Sequence, residues 1–198
     1  GNGGGIMSVA SGADITNLTV TDNIAVTMGG GLFHMGNSDD NPTGFSGFKI
    51  TGGVISGNEG FYGGGISLYD GADPILNNVE ISSNQGQNSG GGIHMDGGFP
   101  SINNCVIKAN SAIGGGGVFA YNNSIPRIEN TTISENSAAE GGAMQFNGAL
   151  GGLLRNCLII NNHGSFYSGG ISIAGTDLSI INTTISGNSS NGSAGSVD

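Results

Sequence analysis

The chain has 198 residues, 41 of them glycine and only 4 proline, which excludes collagen, where glycine takes every third place beside abundant proline. Its 14 acidic residues against 4 basic ones give a formal net charge of -10. That balance excludes a nucleic-acid binder, whose affinity comes from neutralising phosphates, and disfavours an anionic membrane surface. No apolar run approaches the roughly 20 residues that cross a bilayer, so direct membrane insertion is not expected. No signal peptide is visible, and the chain opens on Gly1-Asn2-Gly3 rather than Met, as a mature or excised piece would. Cys105 and Cys157 are too few for a disulfide-stapled miniprotein.

In chain order, the first predicted element follows Gly3-Gly4-Gly5 and begins at Ile6. Glycines followed by an apolar residue then recur down the chain. The apolar place is held by Ile6, Leu32, Ile66, Ile93, Val118, Met144, Ile171 and Val197, at separations of 26, 34, 27, 25, 26, 27 and 26. The second predicted element leads from Ile15 to Asn17, and the third runs on through Val20 to Asn23. The closing asparagine of an Ile-x-x-Asn pattern, with Val20 in place of Ile in the first unit, returns at 58, 84, 110, 136, 162 and 188; the first gap is 35 and the other five are 26. Six residues before it stand Asn17, Asn78, Asn104, Asn130, Asn156 and Asn182, with Gly52 as the exception. Two independent patterns therefore share one period and one long unit, the signature of a repeat architecture.

The apolar spacing within each unit is two, as in strands, not the three-and-four of helices. Ile102, Cys105 and Ile107 mark the inward places of one unit, and Ile128, Thr131 and Ile133 those of the next. Strands this short bury an apolar face only by stacking unit on unit. The expected fold is thus all-β: a right-handed, single-stranded parallel β-helix of about seven three-strand coils, a rod on the order of 35 Å long. Residues 1–198 read as one β-helix segment, with the extra length of the second unit in a turn-rich insertion loop at 36–47. Asn23, Asn58, Asn84, Asn110, Asn136, Asn162 and Asn188 are expected to form a structural ladder, bonded from coil to coil and tolerant of left-handed backbone. Pro74, Pro100 and Pro126 share one place in three consecutive coils, as a strand's first residue can.

Gly141-Gly142-Ala143-Met144 and Ile133-Ser134-Glu135-Asn136 resemble the Gly-Gly-Ala-apolar and Phe-x-x-Asn repeats of polymorphic outer-membrane proteins, autotransporter-type surface proteins first described in chlamydiae. The resemblance covers nearly the whole chain, with Ile or Val for Phe and a third Gly usually for Ala. It implies a parallel β-helix at a bacterial cell surface, often adhesive, and offers no catalytic residues to carry over.

For binding, alternation after the glycines points Phe33, Met35, Tyr69, His94, Phe119 and Tyr121 outward, where a water-facing column should be polar. Such an exposed apolar patch marks contact with a partner. The alternation of oxygens at Asn37, Asp39 and Asn41 is like the start of a calcium loop, but Pro42 stands where glycine is expected; calcium is the single cofactor suggested. No catalytic residue is assigned. Arg127, Arg155 and Glu129 should lie side by side on neighbouring coils as an exposed ion pair. Asp70 and Asp73, or Asp96 across a coil, could supply two carboxylates, though Asp in glycine-rich bends is commonly turn chemistry. His34, His94 and His163 share no column, which argues against zinc. Cys105 and Cys157 lie two coils apart, beyond the reach of a disulfide.

The leading expectation is an extracellular, cell-surface structural or adhesive module without enzymatic activity. The alternatives are a carbohydrate-binding or carbohydrate-active β-helix, and an ice-binding solenoid carried by Thr19, Thr132 and Thr184 and interrupted by Glu80 and Leu158. Expected partners are neighbouring coils of the same protein or identical subunits end to end, and a glycan or host-surface ligand. The sequence begins and stops in repeat register, so continuation into a longer solenoid or a filament is expected.

Overall fold

The computed structural model describes residues 1–36 and 47–192, and these residues form strands, turns and bends without a helix. The chain winds as stacked parallel coils with three strand faces. The first face holds seven strands in parallel register: Ile6–Val9, Leu32–Met35, Ile66–Tyr69, Ile93–Gly98, Val118–Ser124, Met144–Asn147 and Ile171–Ala174. The second face runs from the first asparagine's approach through to the second. In the early coils it is one eight-residue strand, as in Asp14–Thr21, Lys49–Ser56 and Ile75–Ser82. In later coils it breaks in two, as in Ser101–Asn103 and Val106–Lys108. A short third face follows the ladder asparagine, as in Gln85–Ser89 and Ser137–Ala138. The two strands anticipated around the asparagines thus make one bent sheet, and the third face lies where no strand was expected.

Left-handed backbone sets both corners. Asn17, Asn78, Asn104, Asn130, Asn156 and Asn182 all take positive φ of 49–55°, and Gly52 takes 70° in their column. This is the conformation asparagine tolerates better than other side-chain-bearing residues. At the second corner the positive φ falls on the residue before the ladder asparagine: Asp22, Gly57, Ser83, Ala109, Glu135, Asn161 and Gly187. The ladder asparagine itself is held for its amide.

That amide is buried and fully used. Nδ2 of Asn58, Asn84, Asn110, Asn136 and Asn162 donates to Oδ1 of the next asparagine at 2.9–3.0 Å, and the backbone N–H of each donates to the same oxygen. Each of these Nδ2 groups except that of Asn58 also reaches the carbonyl 29 residues earlier, as Asn136 does to Ile107 at 3.0 Å. Asn23 opens the chain of amides onto Asn58, and Asn188 receives its last bonds from Asn162.

The glycine triplets have two separate causes. Gly90 has φ of 64°, and a Cβ there would lie 2.5 Å from the Ile93 carbonyl oxygen. Gly91 has an ordinary φ, but its Cβ would meet Gly116 O of the next coil at 2.4 Å. The first glycine permits the turn, and the second permits the coils to touch. Pro74, Pro100 and Pro126 sit one place before their strands, and Pro74 and Pro100 accept hydrogen bonds from Ser101 and Arg127 through their carbonyls. No proline N–H is needed at that place.

The interior is a continuous apolar column. Ile81, Ile107, Ile133 and Ile159 are fully buried and in parallel register. Ile133→Ala should lower unfolding free energy by about 2–5 kcal/mol, through lost burial and the cavity left between neighbouring coils. Urea titration of the variant checks this; a loss under about 1 kcal/mol would mean that the coils collapse onto the gap. Cys105 and Cys157 are buried free thiols, each donating to a backbone carbonyl at 3.3 Å. Burial pushes both thiols above the ordinary range. Toward the two ends the same columns open: Ile15 and Ile185 are half-buried, and Ile180 is exposed.

His34 is the unusual core residue. It lies among the inward places of the first sheet, fully buried, with its ring stacked on Phe48 at 4.3 Å and Nδ1 3.1 Å from Ser8 Oγ. Burial holds its pKa at about 4, against the smaller upward pull of Ser8.

Candidate functional site

The outer side of the first sheet carries two columns, set by the parallel register. Ser67, His94, Phe119 and Gln145 are consecutive neighbours in one; Tyr69, Asp96, Tyr121 and Asn147 are consecutive neighbours in the other. The chain that enters each strand from the third face folds up beside these columns and makes a wall. Between wall and sheet lies a groove of about 470 Å³, lined by Met28, Tyr62, Asn88 and Ser89 from the wall and by Tyr69, His94, Asp96, Phe119, Tyr121 and Asn147 from the sheet. That volume is in the range of small-ligand sites.

Aromatic rings run continuously through it. Tyr62 lies 5.1 Å from His94, His94 stacks on Phe119 at 5.4 Å and 6°, and Phe119 lies 6.2 Å from Tyr121. Phe61 packs edge-on against Tyr62 at 4.8 Å. His94 is fixed at Nδ1 by Ser89 Oγ at 2.9 Å. Burial lowers its pKa to about 4, so the ring is neutral at pH 7. Asp96 Oδ1 accepts a hydrogen bond from Asn122 Nδ2. Ser67 Oγ and Gln145 Oε1, at either end of the His94–Phe119 pair, are buried and make no hydrogen bond.

Of the six residues expected to point outward for binding, Tyr69, His94, Phe119 and Tyr121 come together in this groove. Phe33 does not meet the expectation of exposure. It is 2% exposed, and Met35 is half-buried; neither lines the groove. Alternation gives the side of the sheet a residue leaves from, and the wall then decides how much of that side meets water. His94, at 5% exposed, is likewise covered, while Tyr121 stays 41% exposed. Met28, Tyr62, Asn88 and Ser89 belong to the third face, where no strand was expected; Met28, Tyr62 and Ser89 are parallel neighbours there, but the column mixes residue types and so left no signal.

Asn37, Asp39 and Asn41, the suggested calcium ligands, lie outside the described residues, as does most of the 36–47 loop. Among the described residues no cluster of His, Cys, Asp or Glu has the makings of a metal site. The carboxylate pairing considered for Asp70 and Asp73 is turn chemistry: Asp73 is buried and accepts the Phe99 N–H at 2.6 Å, and Asp70 sits at φ of 53°. All four basic side chains belong to the second sheet, and each is ion-paired. Lys49 meets Asp14 at 3.8 Å, Lys108 meets Glu80 at 3.1 Å, and Arg127 and Arg155 share Glu129 at 2.7 and 3.3 Å. Lying at the surface, with every Lys and Arg side chain at least 40% exposed, these pairs contribute little to stability.

A family model for the right-handed β-helix region matches residues 43–196. The chain belongs to this family. No curated protein and no solved structure matches it. In a right-handed β-helix the coils provide a rigid rod, and specificity resides in what each face carries. Here the first sheet carries the groove, and the second carries every basic residue.

Proposed function

We propose that this right-handed β-helix is an extracellular, non-enzymatic module of a bacterial cell surface that holds a partner through the aromatic groove. The observation that carries this reading is the groove itself: four aromatic rings, a neutral buried histidine and one carboxylate in a concave site on a rigid sheet. Rigid aromatic side chains lose little conformational entropy on binding, which favours them at contact surfaces. The resemblance of the repeats to those of polymorphic outer-membrane proteins supports the surface location and the adhesive role.

A carbohydrate-active reading would need a second catalytic group beside Asp96, the one carboxylate lining the groove. The Lys and Arg side chains lie on another sheet in ion pairs, and a histidine with a pKa near 4 is a weak base at neutral pH. Binding is therefore favoured over turnover. An ice-binding face would need a regular threonine array, which Glu80 and the exposed Leu158 interrupt.

Substituting Phe119 and Tyr121 together by serine should abolish adhesion to glycan-bearing or host-cell surfaces while the β-sheet circular dichroism spectrum is retained. Unchanged adhesion in that folded double variant would refute the groove as the binding site.

A further inference from the structure

We infer that the groove receives a cationic side chain, an arginine or lysine of a protein partner, with its charge at Asp96 and its apolar stem among the aromatic rings. This rests on the groove's being the binding site, and it goes further by naming the charge and chemistry of what enters.

The carboxylate comes first. Asp96 is the one charged residue lining the groove, and in the parallel register it stands between Tyr69 and Tyr121. Its Oδ1 accepts a hydrogen bond from Asn122 Nδ2, a neutral group that aims the carboxylate without cancelling its charge. On the second sheet the carboxylates are treated differently: Asp14, Glu80 and Glu129 are each matched by a Lys or Arg. Those pairs engage all four basic residues of the chain, so no Lys or Arg is left for Asp96. His94, on the same strand, bonds Ser89 through Nδ1, and burial holds its pKa at about 4. It therefore brings no positive charge to the groove at pH 7. A half-buried carboxylate without a counter-charge attracts an incoming cation more strongly than one in open water.

The rings come second. An aromatic face is electronegative and attracts a cation within about 6 Å of its centre. Tyr69 and Tyr121 lie on the coils either side of Asp96, about 4.8 Å away along the rod. Phe119 meets Tyr121 at 6.2 Å and 34°, and Tyr62 of the wall meets His94 at 5.1 Å. A carboxylate among tilted rings suits a guanidinium or an ammonium, which pairs with the one and rests on the other. The groove's volume of about 470 Å³ exceeds what the charged head alone requires, and Met28 and Phe119 give the stem of an arginine or lysine an apolar surface.

The field of the whole molecule agrees. A net charge of -10 draws cations toward the chain, and no basic residue lines the groove to turn them away. An acidic side chain would meet Asp96 with nothing to offset the repulsion. A zwitterionic lipid headgroup such as phosphocholine would find a place for its ammonium and no cation for its phosphate.

Isothermal titration of the whole chain with short capped glycine peptides tests this, the central residue being arginine, lysine, citrulline or glutamate, with free phosphocholine as a further ligand. The arginine or the lysine peptide should bind at least about tenfold more tightly than the citrulline and glutamate peptides, and should weaken as salt is raised from about 50 to about 500 mM. Asp96→Asn should bring the cationic peptide down to the citrulline level, and Tyr121→Ser should weaken it by about tenfold. Asp177→Asn removes an exposed charge outside the groove and should change nothing. Citrulline binding as tightly as arginine, or a loss in Asp177→Asn equal to that in Asp96→Asn, would overturn the charge assignment. Phosphocholine binding more tightly than every peptide would assign the groove to a lipid headgroup and overturn the protein side chain. Absence of binding by both cationic peptides overturns the inference, and adhesion of the Phe119/Tyr121 double variant then decides separately whether the groove reading stands.

Discussion

Asn136→Ala should lower unfolding free energy by about 3–5 kcal/mol, whereas Asn23→Ala should lower it by about 1 kcal/mol or less. The Asn136 amide makes four hydrogen bonds. It accepts from Asn110 N and Nδ2, and it donates to Ile107 O and Asn162 Oδ1, all at 2.9–3.0 Å in a fully buried corner. Alanine leaves the buried Asn110 N–H without a partner, which costs about 1–3 kcal/mol, and removes three further hydrogen bonds, each contributing about 0.5–1.5 kcal/mol. Asn23 is half-buried and lies at the open end of the series; its side chain donates to Asn58 and Thr21, and no neighbour among the described residues donates to it. Equal losses for the two variants in urea titration would show that the stability resides in the apolar column and not in the amides.

Stability should also fall as pH is lowered from about 6.5 to about 4, and the loss should come from two histidines. His34 and His94 are both buried and held at about 4 from an ordinary 6.5. In that window the unfolded chain takes up protons that the folded chain refuses, so the unfolded state gains and stability drops with falling pH. Below about 4 both states are protonated and the slope from these groups ends. Each shift corresponds to about 3 kcal/mol as an upper figure, at about 1.4 kcal/mol per pH unit of displacement. Asp73 acts with the opposite sign: burial raises its pKa, so the folded state binds its proton first and gains as pH falls. Denaturant titrations between pH 7 and 4 should show the net loss, and the double variant His34→Phe/His94→Phe, which keeps the rings, should flatten the slope. A variant with the wild-type slope would place the acid sensitivity elsewhere.

The fold was readable because its two strongest constraints leave residue-type signatures. Replacing a ladder asparagine removes several coil-to-coil hydrogen bonds at once, four at Asn136, so the residue returns at 58, 84, 110, 136, 162 and 188 in steps of 26. Gly91 and its counterparts cannot carry a Cβ against the next coil, so the glycines return as well. The left-handed place before the ladder asparagine was not readable, because Asp22, Ser83, Ala109 and Glu135 all occupy it and share no chemistry. There the neighbouring coils dictate the backbone and the side chain only tolerates it. The groove was half readable for a related reason. Tyr69, His94, Phe119 and Tyr121 stand in columns, so alternation finds them. Tyr62 and Ser89 reach the groove from the short third-face strands, whose places share no residue type, and the burial of Phe33 depends on packing that no period records.

The ladder has a bearing on how such a chain changes over generations. Asn58 to Asn188 all bond one period ahead, and the columns of the first and second sheets pair one period ahead. Loss or duplication of a whole unit, residues 85–110 for instance, would rejoin each amide to an equivalent amide and each isoleucine to an equivalent isoleucine. Loss of an odd number from within a strand would turn the rest of that face inside out. The length of the molecule is thus free to drift in steps of one coil while its cross-section is held constant. Recombination between repeats would alter how many coils bear each outer column and leave the coil itself undisturbed.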